Sequence, residues 1–434
     1  MQQAASAPNV ERMSETRPRL VNGPLAVLFV CSFTAMTGFY LLFSVVPLYA
    51  TSVGAGGTGA GFATGALMLS TVAAEFATPR LTARYGHRPV LAAGFLLLGL
   101  PALALPATTN LAAILGVSLV RGVGFAIAVV VCGALVAEFV PAERRGEGLG
   151  LSGVVIGVPN ILALPAGVWL ADHYGYTPVF VAAAASCLVS FAACLFLPRR
   201  TPRAAGHAAA HAAGQAAGHE PSAPALGVLG GLRTPALLRP SAVFGVSAMA
   251  VGVIATFLPT AVPGGSLAAT ALLVQATAST FGRWWAGRHG DRHGAGRLLL
   301  PGALAAAAGM AVLVLVPNAA AVVVAMLVFG LGFGVAQNAS LAVMFERVRP
   351  SGYGTVSAIW NVAYDTGMGV GGAGFGLLAA RTGYPPAFAL TGVLIFLALP
   401  LAFRDRRAPA QVPGQDPPAR VAAPSESRLD GTSV

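Results

Sequence analysis

Residues 352–376 of this 434-residue chain read GYGTVSAIWNVAYDTGMGVGGAGFG, a glycine-rich apolar stretch long enough to cross a bilayer as a helix. The stretch contains one acid, Asp365, about a dozen residues from its polar flank, which at 1.5 Å per residue is roughly 18 Å deep. A charge at that depth costs about 2.5–3.5 kcal/mol. The stretch therefore predicts a helical membrane protein with an internal polar cavity that Asp365 faces.

The composition agrees with a membrane protein and excludes several functions. Charged residues make up 9% of the chain, against about 25% in soluble proteins. All 26 basic residues are arginine, so the chain has no lysine for a Walker A loop or a pyridoxal Schiff base. The net charge of +11 is spread between apolar runs and does not indicate nucleic-acid binding. We expect no enzyme activity, no metal and no cofactor.

Apolar segments of spanning length predict an all-α membrane protein with twelve transmembrane helices in two pseudo-symmetric six-helix bundles. The predicted spans are 24–50, 59–79, 89–107, 110–138, 148–171, 177–197, 240–262, 266–287, 297–316, 318–345, 353–379 and 385–403. The predicted organisation is a cytoplasmic tail over 1–23, bundles over 24–197 and 240–403, a cytoplasmic linker over 198–239 and a disordered cytoplasmic tail over 404–434.

The arginines predict the orientation, because cytoplasmic loops are enriched in basic residues. Nearly all of them fall on segments that share a side with the N-terminus. We therefore expect a monomeric, multi-pass plasma-membrane protein with both termini in the cytoplasm. Three histidines, His207, His211 and His219, lie in the linker; a metal site is conceivable there, but the Ala- and Gly-rich composition favours a flexible linker.

The two halves of the chain repeat at an offset of 208 residues. Gly86 corresponds to Gly294, and the segment 122–125, GVGF, corresponds to 330–333, GLGF. Glu138 corresponds to Glu346, and 171–180, ADHYGYTPVF, corresponds to 379–388, AARTGYPPAF. Two six-helix halves in the same orientation are typical of a parallel repeat. A substrate site is then expected near mid-bilayer, between the halves.

These features resemble the major facilitator superfamily. The family's loop signature, G-x-x-x-D-x-x-G-x-R/K, has a good second copy at 287–294, GRHGDRHG, and a degraded first copy at 79–88, PRLTARYGHR, in which Pro79 and Ala83 replace the leading glycine and the acid. The resemblance implies gating roles for Arg84, Gly86, Arg88, Gly287, Asp291, Arg292 and Gly294. With Ala83 in the first copy, we expect one charged cytoplasmic latch, Asp291 near Arg144 and Arg145.

Span 5 carries a glycine and proline series, Gly157, Pro159, Pro165 and Gly167, which loosely resembles the family's antiporter signature. The same resemblance places the family's span-4 arginine at Arg121. The imperfect series supports export only weakly.

Three charged residues are candidates for proton coupling. Asp365 is interpreted as a protonation site, with a structural acid as the alternative. Arg121 is too deep to reach the headgroups easily, so it either faces the cavity or forms a structural pair. Glu75 lies near the predicted end of span 2, where reaching the cytoplasmic headgroups competes with a role in coupling.

A second group of residues is expected to line the cavity. Polar and aromatic side chains on a mostly apolar wall suit a moderately hydrophobic organic substrate, although interhelical hydrogen bonding explains each of them equally well. The candidates are Thr37, Tyr40, Gln275, Gln337, Asn338, Trp360, Asn361 and Tyr364.

These observations predict a secondary transporter that works by alternating access, with protons and a small organic molecule as its partners. Proton-coupled export is the favoured direction. An uptake permease of the same fold and a membrane receptor or scaffold without transport are the alternatives.

The predicted orientation is testable by cysteine labelling. Thr108→Cys and Gly264→Cys should react with a membrane-impermeant thiol reagent in intact cells, because both lie in predicted outer loops. Ala205→Cys should react only after permeabilisation, and the parent protein gives the background of its own cysteines. Labelling of Ala205→Cys in intact cells would reverse the assignment.

Overall fold

A computed structural model describes residues 22–140, 145–198, 228–349 and 352–405. These residues are helical almost throughout, with no strand among them. Most of both predicted tails, most of the predicted linker with its three histidines, and Arg144 lie outside the described residues. Residues 404 and 405, predicted to lie in the disordered tail, belong to the last helix.

The first half contains six helices, α1 to α6. The first continues past Ser44 as a short segment, Val45–Ala50, and the third continues as the 3₁₀ segment Leu100–Ala107. The bounds are α1 Gly23–Phe43, α2 Gly56–Tyr85, α3 His87–Gly99, α4 Leu111–Phe139, α5 Arg145–Tyr174 and α6 Tyr176–Cys194.

The second half repeats this order with α7 to α12, after a short helical segment, Val228–Leu232. The bounds are α7 Pro235–Ala261, α8 Gly265–His293, α9 Gly296–Val312, α10 Ala319–Glu346, α11 Tyr353–Thr382 and α12 Tyr384–Asp405. Helix α7 therefore begins inside the predicted linker.

The twelve-helix prediction is confirmed. Within the described residues, nine segments are long and apolar enough to cross a membrane, and the longest of them, Gly23–Tyr85, runs through both α1 and α2. Helices α8 and α11 are more polar and complete the twelve. Because α2 and α8 extend beyond their predicted spans, much of each loop signature lies on the last turns of a helix.

Glycines at equivalent positions end equivalent helices in the two halves. Gly86 and Gly294 follow α2 and α8 with φ of 84° and 90°, and Gly175 and Gly383 follow α5 and α11 with φ of 81° and 79°. Only glycine adopts these angles without strain. The offset predicted from the sequence is therefore also the offset of the backbone turns.

The packing of neighbouring helices repeats as well. A Cβ atom at Gly124 of α4 would lie 2.4 Å from the backbone nitrogen of Leu98, and one at Gly332 of α10 would lie 2.4 Å from that of Ala306. Both members of each contact are related by 208 residues. Small residues let transmembrane backbones approach this closely, so these glycines fix α3 against α4 and α9 against α10.

Alanine at either of these glycines should destabilise the protein, because the neighbouring backbone cannot move aside. Gly124→Ala and Gly332→Ala should each cost about 1–3 kcal/mol of unfolding free energy, the usual cost of overpacking, measured by denaturation of the purified protein in detergent. The matched control is Gly116→Ala, since no heavy atom lies within 4 Å of the Cβ position at Gly116 of α4. Equal stability of Gly332→Ala and Gly116→Ala would contradict this account.

Candidate functional site

The two halves meet along a seam formed by α2 against α11 and α5 against α8. They touch where α2 begins and α11 ends: a Cβ atom at Gly61 would lie 2.4 Å from the carbonyl oxygen of Gly372. At the same end, a Cβ atom at Gly265 of α8 would lie 2.5 Å from Cβ of Asp172 of α5. We call this the closed end of the seam.

A hydrogen bond also joins the two halves in the buried part of the seam. The hydroxyl groups of Thr64 on α2 and Thr256 on α7 lie 2.8 Å apart, and both side chains are buried. Toward the other end, nothing lies within 4 Å of the Cβ positions of Gly153, Gly157 and Gly354. The halves therefore diverge away from the closed end, and the space between them is the candidate site.

This space consists of two compartments of about 150 and 330 Å³. Five residues line both of them: Tyr40, Ile156, Arg283, Gln337 and Tyr364. The two compartments are therefore parts of one cavity. Its total size lies in the range of sites that hold small organic ligands, which are concave and mostly apolar with a few polar groups.

Two carboxyl groups meet in the larger compartment, one from each half. Glu75 of α2 is 9% exposed and Asp365 of α11 is 4% exposed, and their side chains line the same compartment, close enough to interact. A hydrogen bond between two carboxyl groups requires a proton on one of them, since an ionised carboxylate only accepts. The structure therefore places Glu75 inside the cavity and not at the headgroups.

The cavity also holds a cation, Arg283 of α8. Its charge acts on the hydroxyl groups of Tyr40 and Tyr364, and no carboxylate of the described residues lies within ion-pair distance of it. The predicted span 8, residues 266–287, would place this arginine near the inner end of its helix. Its position corresponds to that of Glu75 at the repeat offset of 208 residues. The repeat therefore indicates that Arg283 lies at the same depth as Glu75, which the hydropathy of the sequence does not show.

Most of the predicted cavity residues are brought together. Tyr40, Gln337 and Tyr364 line both compartments, Gln275 lines the smaller one, and Trp360 and Asn361 line the larger one. The ring of Trp360 stacks on Phe244 with centroids 4.4 Å apart, and its indole N–H donates to Ser340 at 3.1 Å. One wall of the cavity is therefore aromatic and held in place by packing.

Two other predicted cavity residues lie outside these compartments. Thr37 donates its hydroxyl to the carbonyl oxygen of Phe33 in its own helix, at 2.8 Å. Asn338 lies between α8 and α10, where its side-chain nitrogen is 3.6 Å from the Cβ position of Gly287.

Arg121 lies apart from the carboxyl pair, inside the first half. It is 1% exposed, its Nε donates to the carbonyl oxygen of Leu98 at 3.3 Å, and its Nη2 has no hydrogen-bond partner among the described residues. Its side chain lines a separate, very small cavity with Thr64 and Leu67. The structure therefore does not bring Arg121 together with Asp365 and Glu75.

The predicted gating residues lie at the ends of α2 and α8 and along α5. Asp291 is exposed on the last turn of α8, and the side chains of its predicted partners, Arg144 and Arg145, lie outside the described residues. Arg84, Gly86, Arg292 and Gly294 lie at these helix ends, Gly287 lies six residues before the end of α8, and Arg88 lies on the first turn of α3.

On α5, the glycine and proline series divides between the cavity and the packing of the first half. Gly157 lines the cavity, whereas a Cβ atom at Gly167 would lie 2.2 Å from the carbonyl oxygen of Leu41. Pro159 and Pro165 stand inside the helix, where each removes a backbone hydrogen bond.

Comparison with known proteins supports the family resemblance. The sequence model of the Major Facilitator Superfamily matches residues 28–372. The structure is similar to that of a D-xylose–proton symporter, with a TM-score of 0.71 and 14% identity over 89% of this chain and 99% of that chain. It is also similar to the inward-open xylose transporter XylE from E. coli, with a TM-score of 0.69 and 14% identity over 90% of this chain and 97% of that chain. No curated protein matches the chain in a sequence search.

A larger side chain at the closed end should hold the halves apart. Gly61→Val would place a side chain against the Gly372 carbonyl and shift the population toward a state open at this end, because a contact shifts an equilibrium by its differential energy between the states. With Gln275→Cys as the reporter, a reagent confined to the closed-end side should label the cavity several-fold faster. Gly116→Val is the control for valine in open space, and an unchanged labelling rate in Gly61→Val would contradict the assignment of the closed end.

Proposed function

The chain belongs to the major facilitator superfamily, and from this premise we propose that it is a proton-coupled secondary transporter of small organic molecules in which Glu75 and Asp365 carry the proton. The family and the fold make the protein a membrane transporter and not an enzyme. The observation that supports the coupling is the pair of buried carboxyl groups, one from each half, that line the same compartment at the seam.

The pair links the proton to the arrangement of the halves. One shared proton binds α2 to α11, since it completes a hydrogen bond between two buried oxygens. Loss of that proton leaves two carboxylates side by side, which repel each other in a site of low dielectric constant. Any rocking motion that separates α2 from α11 also separates the pair. The proton therefore stabilises one arrangement more than the other, which is the requirement for coupling.

Access to the pair follows from the closed end. In the predicted orientation, the closed end faces outward and the cavity opens toward the cytoplasm. Substrate and proton then reach the same cavity from the same side in each state, as alternating access requires. We also propose the plasma membrane as the location, with both termini in the cytoplasm.

The direction of transport has two candidates. The glycine and proline series of α5 supports export by exchange with protons, with Gly157 at the cavity and Gly167 packed against α1. Uptake together with protons is favoured by the unpaired cation Arg283 in the same cavity. A receptor or scaffold would need neither a proton nor a cavity that changes its access.

Removal of either titrating group should abolish coupling. In proteoliposomes with a trapped pH indicator, a panel of small organic anions, cations and neutral solutes should give solute-dependent proton flux with the wild type. Asp365→Asn and Glu75→Gln should each reduce this flux at least about tenfold, because neither amide can exchange a proton.

The matched control is Glu138→Gln, an acid at the end of α4 outside the cavity, which should keep the wild-type flux. Proton flux at the wild-type rate in Asp365→Asn would exclude the pair as the proton site. The absence of solute-dependent flux in the wild type across the whole panel would favour a receptor or scaffold. The sign of the flux distinguishes exchange from co-transport.

A further inference from the structure

The charges in the cavity are distributed asymmetrically between the halves. Glu75 and Arg283 occupy equivalent positions of α2 and α8, each ten residues before the end of its helix, so both lie about 15 Å from that end. Glu75 has a partner in Asp365, whereas Arg283 has no acidic partner among the described residues. Among the described residues that line the cavity, Arg283 is the only lysine or arginine.

We propose that Arg283 binds the anionic group of an organic substrate, so that this cavity is an organic-anion site. A buried or half-buried guanidinium at membrane depth needs a counter-charge or a water-filled space, and Arg283 lines the point where the two compartments join. Its planar fork of donors fits a carboxylate or a similar oxyanion in a bidentate geometry. The bound group therefore completes a charge pair that the protein itself leaves open.

The rest of the cavity fits the body of such a substrate. Tyr40 and Tyr364 flank the arginine, and Trp360 extends the aromatic wall. Rings of this kind stack against an aromatic or flat apolar group. The amide of Gln337 lines both compartments and can donate to a second oxygen. The compartment volumes limit the substrate to a small molecule, such as an aromatic carboxylate with one ring.

The anion site also fixes the sign of coupling, a step that rests on the proposed role of Glu75 and Asp365. The empty cavity is neutral when the pair shares one proton, because the remaining negative charge offsets Arg283. Binding of an anion makes the cavity negative and favours a second proton on the pair. By linkage, the proton favours the anion to the same extent. Anion and proton then travel together, whereas a cation would compete with the proton.

Other titratable groups near the pair do not change this sign. Tyr40 of α1, Cys132 of α4 and Tyr364 of α11 share the larger compartment with it and are neutral in their ordinary state. Arg121 of α4, which also packs against α2, faces its own separate cavity. Among the described residues, Arg283 is thus the charged group from another helix that shares the larger compartment with the pair.

The test compares benzoate, benzamide and benzamidine as probes, with further pairs of small carboxylates and their amides. These three have nearly the same shape and carry negative, zero and positive charge. Binding to the purified full-length protein in nanodiscs is measured by quenching of tryptophan fluorescence and by calorimetry. Wild-type protein should bind at least one carboxylate on the order of tenfold more tightly than its amide, and should bind benzamidine no better than benzamide.

Variants assign this preference to the arginine. Arg283→Gln should bind carboxylate and amide equally, Arg283→Lys should keep a weaker preference because it keeps the charge, and the exposed Arg288→Gln of the same helix should behave as the wild type. A carboxylate preference that survives in Arg283→Gln, a preference for benzamidine, or no carboxylate preference across the panel would overturn the proposal.

The pH dependence separates this inference from the proposed function. As the pH falls from about 8 to about 6, carboxylate affinity should rise in the wild type and stay level in the double variant Glu75→Gln, Asp365→Asn. An anion preference that depends on Arg283 but not on pH would support the anion site. It would exclude Glu75 and Asp365 as the groups that couple anion binding to protons. Solute-driven proton flux without any preference for anions would support Glu75 and Asp365 as the proton site and would contradict the proposal that Arg283 binds an anion.

Discussion

The juxtaposition of two buried carboxyl groups, Glu75 and Asp365, is the constraint on which the centre of this structure depends. An isolated carboxylate near mid-bilayer is costly, and two of them side by side are more costly still. In the proposed mechanism, a proton shared by Glu75 and Asp365 removes both costs while α2 and α11 stay together. Under this proposal, the stability of this arrangement of the halves depends on protonation.

The seam can hold such a pair because its helices approach so closely. Gly61 and Gly372 bring the α2 and α11 backbones together at the closed end. Further along both helices, the side chains of Glu75 and Asp365 meet across the diverging halves. A close glycine contact at one end and a polar pair deeper in the seam give the halves a point about which they can rock. Close helix packing in the membrane depends on small residues. In this arrangement the same packing would determine how the cavity changes its access from one side to the other.

More of the fold than of the candidate site could be predicted from the sequence. Apolar runs of spanning length predicted the twelve helices, because hydropathy is a local signal, and the repeat predicted that Gly86 and Gly294 are equivalent. The partner of Asp365 was not predictable in this way, since it depends on which helices meet across the seam. The predicted span 8 ends at residue 287, close to Arg283, whereas α8 continues to His293, and this extra length puts the arginine at the depth of the cavity.

The repeat explains why residues that differ between the two halves determine the charges in the cavity. Equivalent helices place equivalent residues at equal depth, so a change of residue type changes the charge without moving its location. Glu75 and Arg283 occupy one such position with opposite charges, and Asp365 stands where the first half has Gly157. These substitutions place a proton-binding pair and an unpaired cation in one cavity. Because both proposed sites lie in one cavity, direct electrostatics can couple them, and the proposal needs no chain of intermediate residues to carry the coupling.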